Sequence, residues 1–372
     1  MDDFTPAEVF APGEFLKDAL ENRGWTQTEF AELIGRPTRL INEIIAAKRS
    51  ITPETAREIA AGLGTSAQYW LNLESAYQLS HVPEPRETIA REAALRARFP
   101  VRNMIKRNWV SAPSDYDTLE KEVFNYFGIR AVNDPIEFRH AARRNYAKEQ
   151  TELQWAWIFR VSQLAAALPV PRYSRQKLVE ALAELDRLTI EPEEIRHIPK
   201  VLSACGVRFV IVEPIPGSEI QGVCFWLDDR SPVIGLTLKG DFIDRVWFNI
   251  RHELEHVLNE DAKGGLITDS FEQAVAADED ESERLANQAA AEFCVPQKSL
   301  KDFIARHHPM YSLPSFMGFC RLMKRHPGIV AGQLQRHLNS HTLFKKFQVR
   351  VRGNLIQTAL TDGYGKTGPI GM

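Results

Sequence analysis

His252, Glu253 and His256 stand in the order His-Glu-x-x-His within "FNIRHELEHVL". Two histidines four apart on a helix lie about 40° apart around its axis and one turn apart along it, so both imidazoles can reach one ion. The intervening glutamate then falls beside that ion, where a general base could act on water. With 10 histidines in 372 residues, the pattern arises by chance about 0.02 times at an ordinary glutamate frequency, so it informs without deciding. Ile250, Leu254, Val257 and Leu258 form an apolar stripe, and the histidines are expected on the opposite side, as a solvated face or a cleft wall. A catalytic zinc site needs a third protein ligand. Glu283 in "ESERLANQAAAEFCVP" is the favoured carboxylate, because Ala286, Asn287 and Ala290 on its face would let two helices approach closely. Asp278, Glu279, Asp280 and Glu281 compete, and read better as a solvated charged loop.

A second group of residues suits nucleic acid. "TQTEFAELIG" followed by "RPTRLINEIIAAKR" is a helix, a tight turn at Gly35 and a second helix, the helix-turn-helix layout. Phe30, Leu33, Ile41, Ile44 and Ile45 are expected inside, which leaves Thr38, Arg39, Asn42 and Glu43 facing outward. Arginine and asparagine suit base edges in the major groove. Gln27, Arg36, Lys48 and Arg49 could hold phosphates. Against this, Phe10 to Ser80 carries seven Lys or Arg and nine Asp or Glu, a poor attraction for DNA.

The elements that must position these residues fall into blocks. The chain is 44% hydrophobic and 26% charged with a net charge of −3, the composition of a folded protein with no global affinity for phosphate. The four cysteines are scattered in apolar sequence and read as buried hydrophobes of a reducing compartment. No run is long and apolar enough for a membrane span, and a cytoplasmic location is expected. The fold expected is mainly α with a small α+β domain. Residues 1–80 read as five short helices, with Thr26 and Thr52 as caps and Pro53 at a first helical position. Residues 86–204 read as a helical connecting region, whose Arg91, Arg96, Arg98, Arg102, Lys106 and Arg107 form the most basic short window. At Gly206 the period changes: "GVRFVIVEPIPG", "QGVCFWLDDRSP" and "VIGLTLKG" read as a short antiparallel sheet. Helices return from Asp241, and residues 349–372 read as an extended or disordered tail.

With these residues in place, two resemblances follow. "FNIRHELEHVL" with "ERLANQAAAEFCVP" resembles the ImmA/IrrE-type metallopeptidases over roughly residues 206–340. The resemblance implies a zincin-like domain in which His252, His256 and Glu283 bind Zn2+, Glu253 activates water, and a peptide bond is hydrolysed. Ala289 and Glu255 depart from the family's usual residues. "INEIIAAKRSITPETA" and "YWLNL" are similar to the Cro/repressor-type, lambda-repressor-like domain of HigA-family antitoxins, with "ESAYQL" a small departure at its edge. That resemblance implies a homodimer on a double-stranded DNA operator. Together they imply a DNA-binding transcriptional regulator with a zinc metallopeptidase domain that cleaves a regulatory protein. The alternative is a HigA-like antitoxin that represses its own operon and neutralises a partner toxin, its metal site structural or inactive.

Overall fold

The computed structural model describes residues 9–138, 150–263, 265–270 and 281–363, so Asp278, Glu279 and Asp280 lie outside the described residues. The chain divides into two compact units, residues 1–87 and 88–372.

The first unit is five helices: α1 Pro12–Glu21, α2 Gln27–Leu33, α3 Thr38–Ile45, α4 Pro53–Leu63 and α5 Ala67–His81. The sequence starts them with side chains that satisfy free backbone donors. Thr26 and Glu29 form a reciprocal capping box on α2, and Thr52 and Ser66 cap α4 and α5. The α2–α3 turn needs Gly35 at φ +71°, a conformation a side chain would strain. Phe30, Ala31, Ile41, Ile44, Ile59 and Trp70 fill the core. Leu33, expected inside, is instead exposed, because the last turn of α2 rotates it away from that core.

The second unit opens with α6 Glu87–Arg98, α7 Val101–Lys106, α8 Tyr116–Phe127, α9 Glu152–Ala167, α10 Arg175–Leu188 and α11 Ile198–Ala204. The strands are β1 Arg208–Val212, β2 Ile220–Trp226, β3 Pro232–Leu236, β4 Leu266–Ser270 and β5 Leu360–Asp362. Further helices are α12 Ile243–Asn259, α13 Glu281–Cys294, α14 Gln297–His307, α15 Leu313–Met323, α16 Pro327–His337 and α17 Arg352–Leu355. The sheet order is β4-β2-β3-β1-β5. It is mixed rather than antiparallel throughout: β2 runs antiparallel to β3 and β4, whereas β1 is parallel to β3 and β5. The apolar runs alone carry no sign of strand direction, which is why an all-antiparallel order looked natural.

Strand side chains alternate between faces, and here each face meets its own core. Phe209, Ile211, Cys224, Trp226, Ile234 and Leu236 pack with residues of α10, α11 and α12. Val210, Val212, Val223, Phe225 and Val233 pack with residues of α6 to α9. The helices of residues 88–204 therefore share both cores with the sheet.

The tail expected from residue 349 is corrected as far as residue 363. Arg350 bridges to Phe242, α17 follows, and β5 pairs with β1. Val351, Leu355, Ala359 and Thr361 are buried, and Asp362 accepts from Trp109 Nε1 at 3.0 Å and pairs with Arg160. Sparse apolar residues in a Gly-containing stretch concealed a strand held mainly by backbone pairing and one buried carboxylate.

Candidate metal centre and helix-turn-helix surface

Helix α12 carries the His-Glu-x-x-His residues and is buried on nearly every side. Ile250, Leu254, Val257 and Leu258 are buried as expected, and so are Trp247, Phe248, His252, Glu253 and His256. This overturns a solvated histidine face and leaves the cleft wall. The helix is enclosed because the sheet lies on one side and α13 and α16 pack on others. In α13, Ala286, Ala290 and Cys294 are fully buried at four-residue spacing, a row of small side chains that admits α12 closely.

Close approach brings Glu283 to the histidines. His252 Nε2 and His256 Nε2 are 3.1 Å apart. The Glu283 carboxylate lies 3.4 Å from His252 Nε2 and 3.5 Å from His256 Nε2. Three ligand atoms each about 2.0–2.1 Å from a tetrahedral zinc ion are about 3.3 Å from one another, so the spacings match such a donor set. Two nitrogens and a carboxylate oxygen also suit zinc chemically. These are the three residues that could together hold an ion among the described residues.

Two neighbours of the cluster could not be assigned to it from the sequence. Asp261 Oδ2 lies 3.2 Å from His256 Nδ1. An ionised carboxylate only accepts, so His256 donates from Nδ1 and turns the lone pair of Nε2 toward the cluster. The geometry depends on helix α12 ending at Glu260, whose φ of 57° is left-handed and returns the chain past His256. The second is Gly222 on β2. A Cβ there would stand 2.1 Å from Glu253 Oε1, so only glycine leaves room for that fully buried carboxylate against the sheet. A Gly inside a strand is a mild signal of close approach, but nothing in the sequence says to what.

Phe248 stacks one turn before His252 at 6.3 Å, and the Arg336 guanidinium lies 3.8 Å over the Phe248 ring. Two histidines of the following helices have local roles: His326 Nδ1 accepts from Gly328 N at the start of α16, and His307 Nδ1 bonds Phe303 O.

In the first unit, the outward surface of α3 presents Arg39, whose side chain is 87% exposed, and Asn42 beside it. Gln27 and Thr38 open α2 and α3 and are half-buried, while Lys48 and Arg49 are exposed after α3. Glutamates hold three of the cations. Arg39 and Arg49 both pair with Glu43, at 2.6 and 3.3 Å. The hydrogen bond from Arg39 holds the Glu43 carboxyl below its ordinary range. Arg36 bridges Glu54 and Glu58 of α4, which raises its already high pKa through the Glu58 hydrogen bond and ties it to the scaffold. Gln27, Thr38, Arg39, Asn42, Lys48 and Arg49 thus lie on or beside the α2–α3 hairpin, whereas Arg36 is spoken for by α4.

Residues 16–70 match the helix-turn-helix family, and residues 209–327 match the IrrE N-terminal-like domain. The chain is 33% identical over 79 residues to virulence-associated protein I of Dichelobacter nodosus, a match covering 21% of this chain and 73% of that protein. It is 29% identical over 69 residues to the HTH-type transcriptional regulator YddM of Escherichia coli (strain K12), covering 18% of this chain and 73% of that one. Among solved structures, the Pseudomonas aeruginosa antitoxin HigA with the higBA promoter is 27% identical, covers 21% of this chain and 99% of its own, and gives a TM-score of 0.20. No helix among the described residues is long and apolar enough to cross a membrane.

Proposed function

Because the chain belongs to the Cro/repressor-type helix-turn-helix family and carries an IrrE N-terminal-like domain, we propose that it is a DNA-binding transcriptional regulator whose second unit is a zinc-dependent peptidase acting on a regulatory protein. The observation that carries the peptidase half is the convergence of His252 Nε2, His256 Nε2 and the Glu283 carboxylate at 3.1 to 3.5 Å, next to the buried Glu253. His252, His256 and Glu283 hold the ion. Zinc in such a site supplies Lewis acidity for activating water and polarising a carbonyl. Glu253 takes and returns a proton at its carboxylate, which burial against Gly222 shields from bulk water. Asp261 fixes the tautomer and orientation of His256.

In the first unit, Arg39 and Asn42 read base edges while Gln27, Lys48 and Arg49 contact phosphates, with Thr38 at the start of the recognition helix. Two copies dock as a homodimer, since a single short recognition helix covers only half a site.

The peptidase half is tested by comparing peptide termini in cells that express the wild type and Glu253→Gln. New termini present only with the wild type are expected, on this chain or on another protein, with equal zinc in both. Identical termini alongside stoichiometric zinc would remove the hydrolytic role and leave the antitoxin reading, in which the metal is structural.

A further inference from the structure

Residues 297–352 contain eleven Lys or Arg and one acid, Asp302. Since the whole chain has 46 and 49, the remainder holds 35 Lys or Arg against 48 Asp or Glu. The basic segment folds as α14, α15, α16 and a 3-10 turn at Lys345–Phe347, around an apolar core that includes Leu300, Phe303, Phe316, Val330 and Leu334. That core turns the charged side chains outward. Lys298, Lys301, Arg306, Arg321, Lys345 and Lys346 are all exposed. The ion pairs this segment makes among the described residues are those of Arg325 with Asp186 and of Arg350 and Arg352 with Asp241, so the six exposed cations keep their charge for an outside partner.

The basic window at residues 91–107 shows the contrast. Four of its six cations are paired within the fold, Arg91 with Asp117 and Glu120, Arg96 with Glu92, Arg98 with Glu152 and Arg107 with Glu213, which leaves only Arg102 and Lys106 as exposed cations outside these pairs. The first unit is also poor in free positive charge, with seven Lys or Arg against nine acids over Phe10 to Ser80 and Arg36, Arg39 and Arg49 held by glutamates. Sequence-independent attraction to DNA grows with the number of phosphates neutralised, and that unit offers few cations to neutralise them.

We infer that the exposed cations of α14, α15 and the Lys345–Phe347 turn form a second nucleic-acid contact, which takes the phosphate backbone of duplex DNA and supplies the attraction the helix-turn-helix unit lacks. The inference rests on the DNA-binding reading of the first unit. It favours DNA over an acidic protein because a duplex held by the first unit is already at high local concentration for the rest of the same chain.

The test uses the full chain, a duplex of random sequence, and affinity measured across a salt series. The variant Lys298→Gln, Lys301→Gln, Arg306→Gln, Arg321→Gln is compared with a control of equal charge change at exposed positions outside the segment, Lys121→Gln, Arg130→Gln, Lys177→Gln, Lys200→Gln. Each phosphate contact contributes about −0.9 to the slope of log affinity against log salt, so the slope should shallow by roughly 2 or more. Affinity at low salt should fall at least about tenfold, with the control unchanged. Equal behaviour of patch variant and control overturns the inference while the first unit's reading stands. So does competition by polyglutamate that depends on the patch while the DNA slope does not. A wild type that binds no duplex, operator included, overturns both.

Discussion

At the residue scale, the proposed chemistry depends on atoms placed by neighbours that have no chemistry of their own. His252, Glu253, His256 and Glu283 were legible in the sequence because helical periodicity fixes the first three and a small-residue face singles out the fourth. Gly222 and Asp261 were not, because a strand glycine and a loop aspartate acquire meaning only when β2 and the end of α12 are brought alongside the cluster. Gly222→Ala places a methyl 2.1 Å from where Glu253 Oε1 now sits, so the carboxylate must move. We expect zinc content to stay near the wild-type level while the proposed peptide hydrolysis falls at least about tenfold, since a displaced Glu253 could not serve as the proposed general base. Retained hydrolysis would mean that Glu253 acts from elsewhere or does not act. Overpacking should cost about 1–3 kcal/mol in denaturant unfolding.

At the scale of elements, helix starts were the most readable features and strand directions the least. Caps such as Thr26 and Thr52 act within four residues, so local sequence contains the whole cause. Strand pairing joins residues 208–212 to 360–362, and no local pattern encodes that partner. The recognition helix makes a separable prediction. Arg39→Ala should weaken binding to the natural operator by about 1–3 kcal/mol relative to a scrambled duplex, measured by fluorescence anisotropy. Equal loss on both duplexes would make Arg39 a phosphate contact. Helix α16 offers a pH test. Burial holds the His326 imidazole below its ordinary pKa, against the opposing pull of Glu191 and Glu193, and its Nδ1 accepts from Gly328 N at 3.0 Å. The unfolded chain takes up the proton near pH 6.5 and the folded chain only at lower pH. The stabilisation is therefore complete above about pH 6.5 and is lost as pH falls below it. Asparagine caps a helix without titrating in this range, so thermal unfolding of His326→Asn should vary less than the wild type between about pH 7 and 5. An unchanged pH slope would show that His326 does not supply it.

At the scale of the whole molecule, two units of different chemistry share one chain, and sequence placed each from its densest motif. What lay between was harder to read, because α6 to α9 contribute apolar residues to the same core as one face of the sheet and carry no reactive residues to mark the attachment. The ion is expected to be part of this unit's stability. A ligand that binds only the folded state at a hundred times its Kd adds about 2.7 kcal/mol, so chelation should lower the unfolding temperature of residues 88–372 and leave that of residues 1–87 in place. The central claim, that His252, His256 and Glu283 form a zinc site, is tested most directly by elemental analysis of the purified full chain beside His256→Ala. One zinc per chain in the wild type and almost none in the variant is the predicted result. A wild type without stoichiometric zinc after purification in its presence, or a variant that keeps it, would contradict the account.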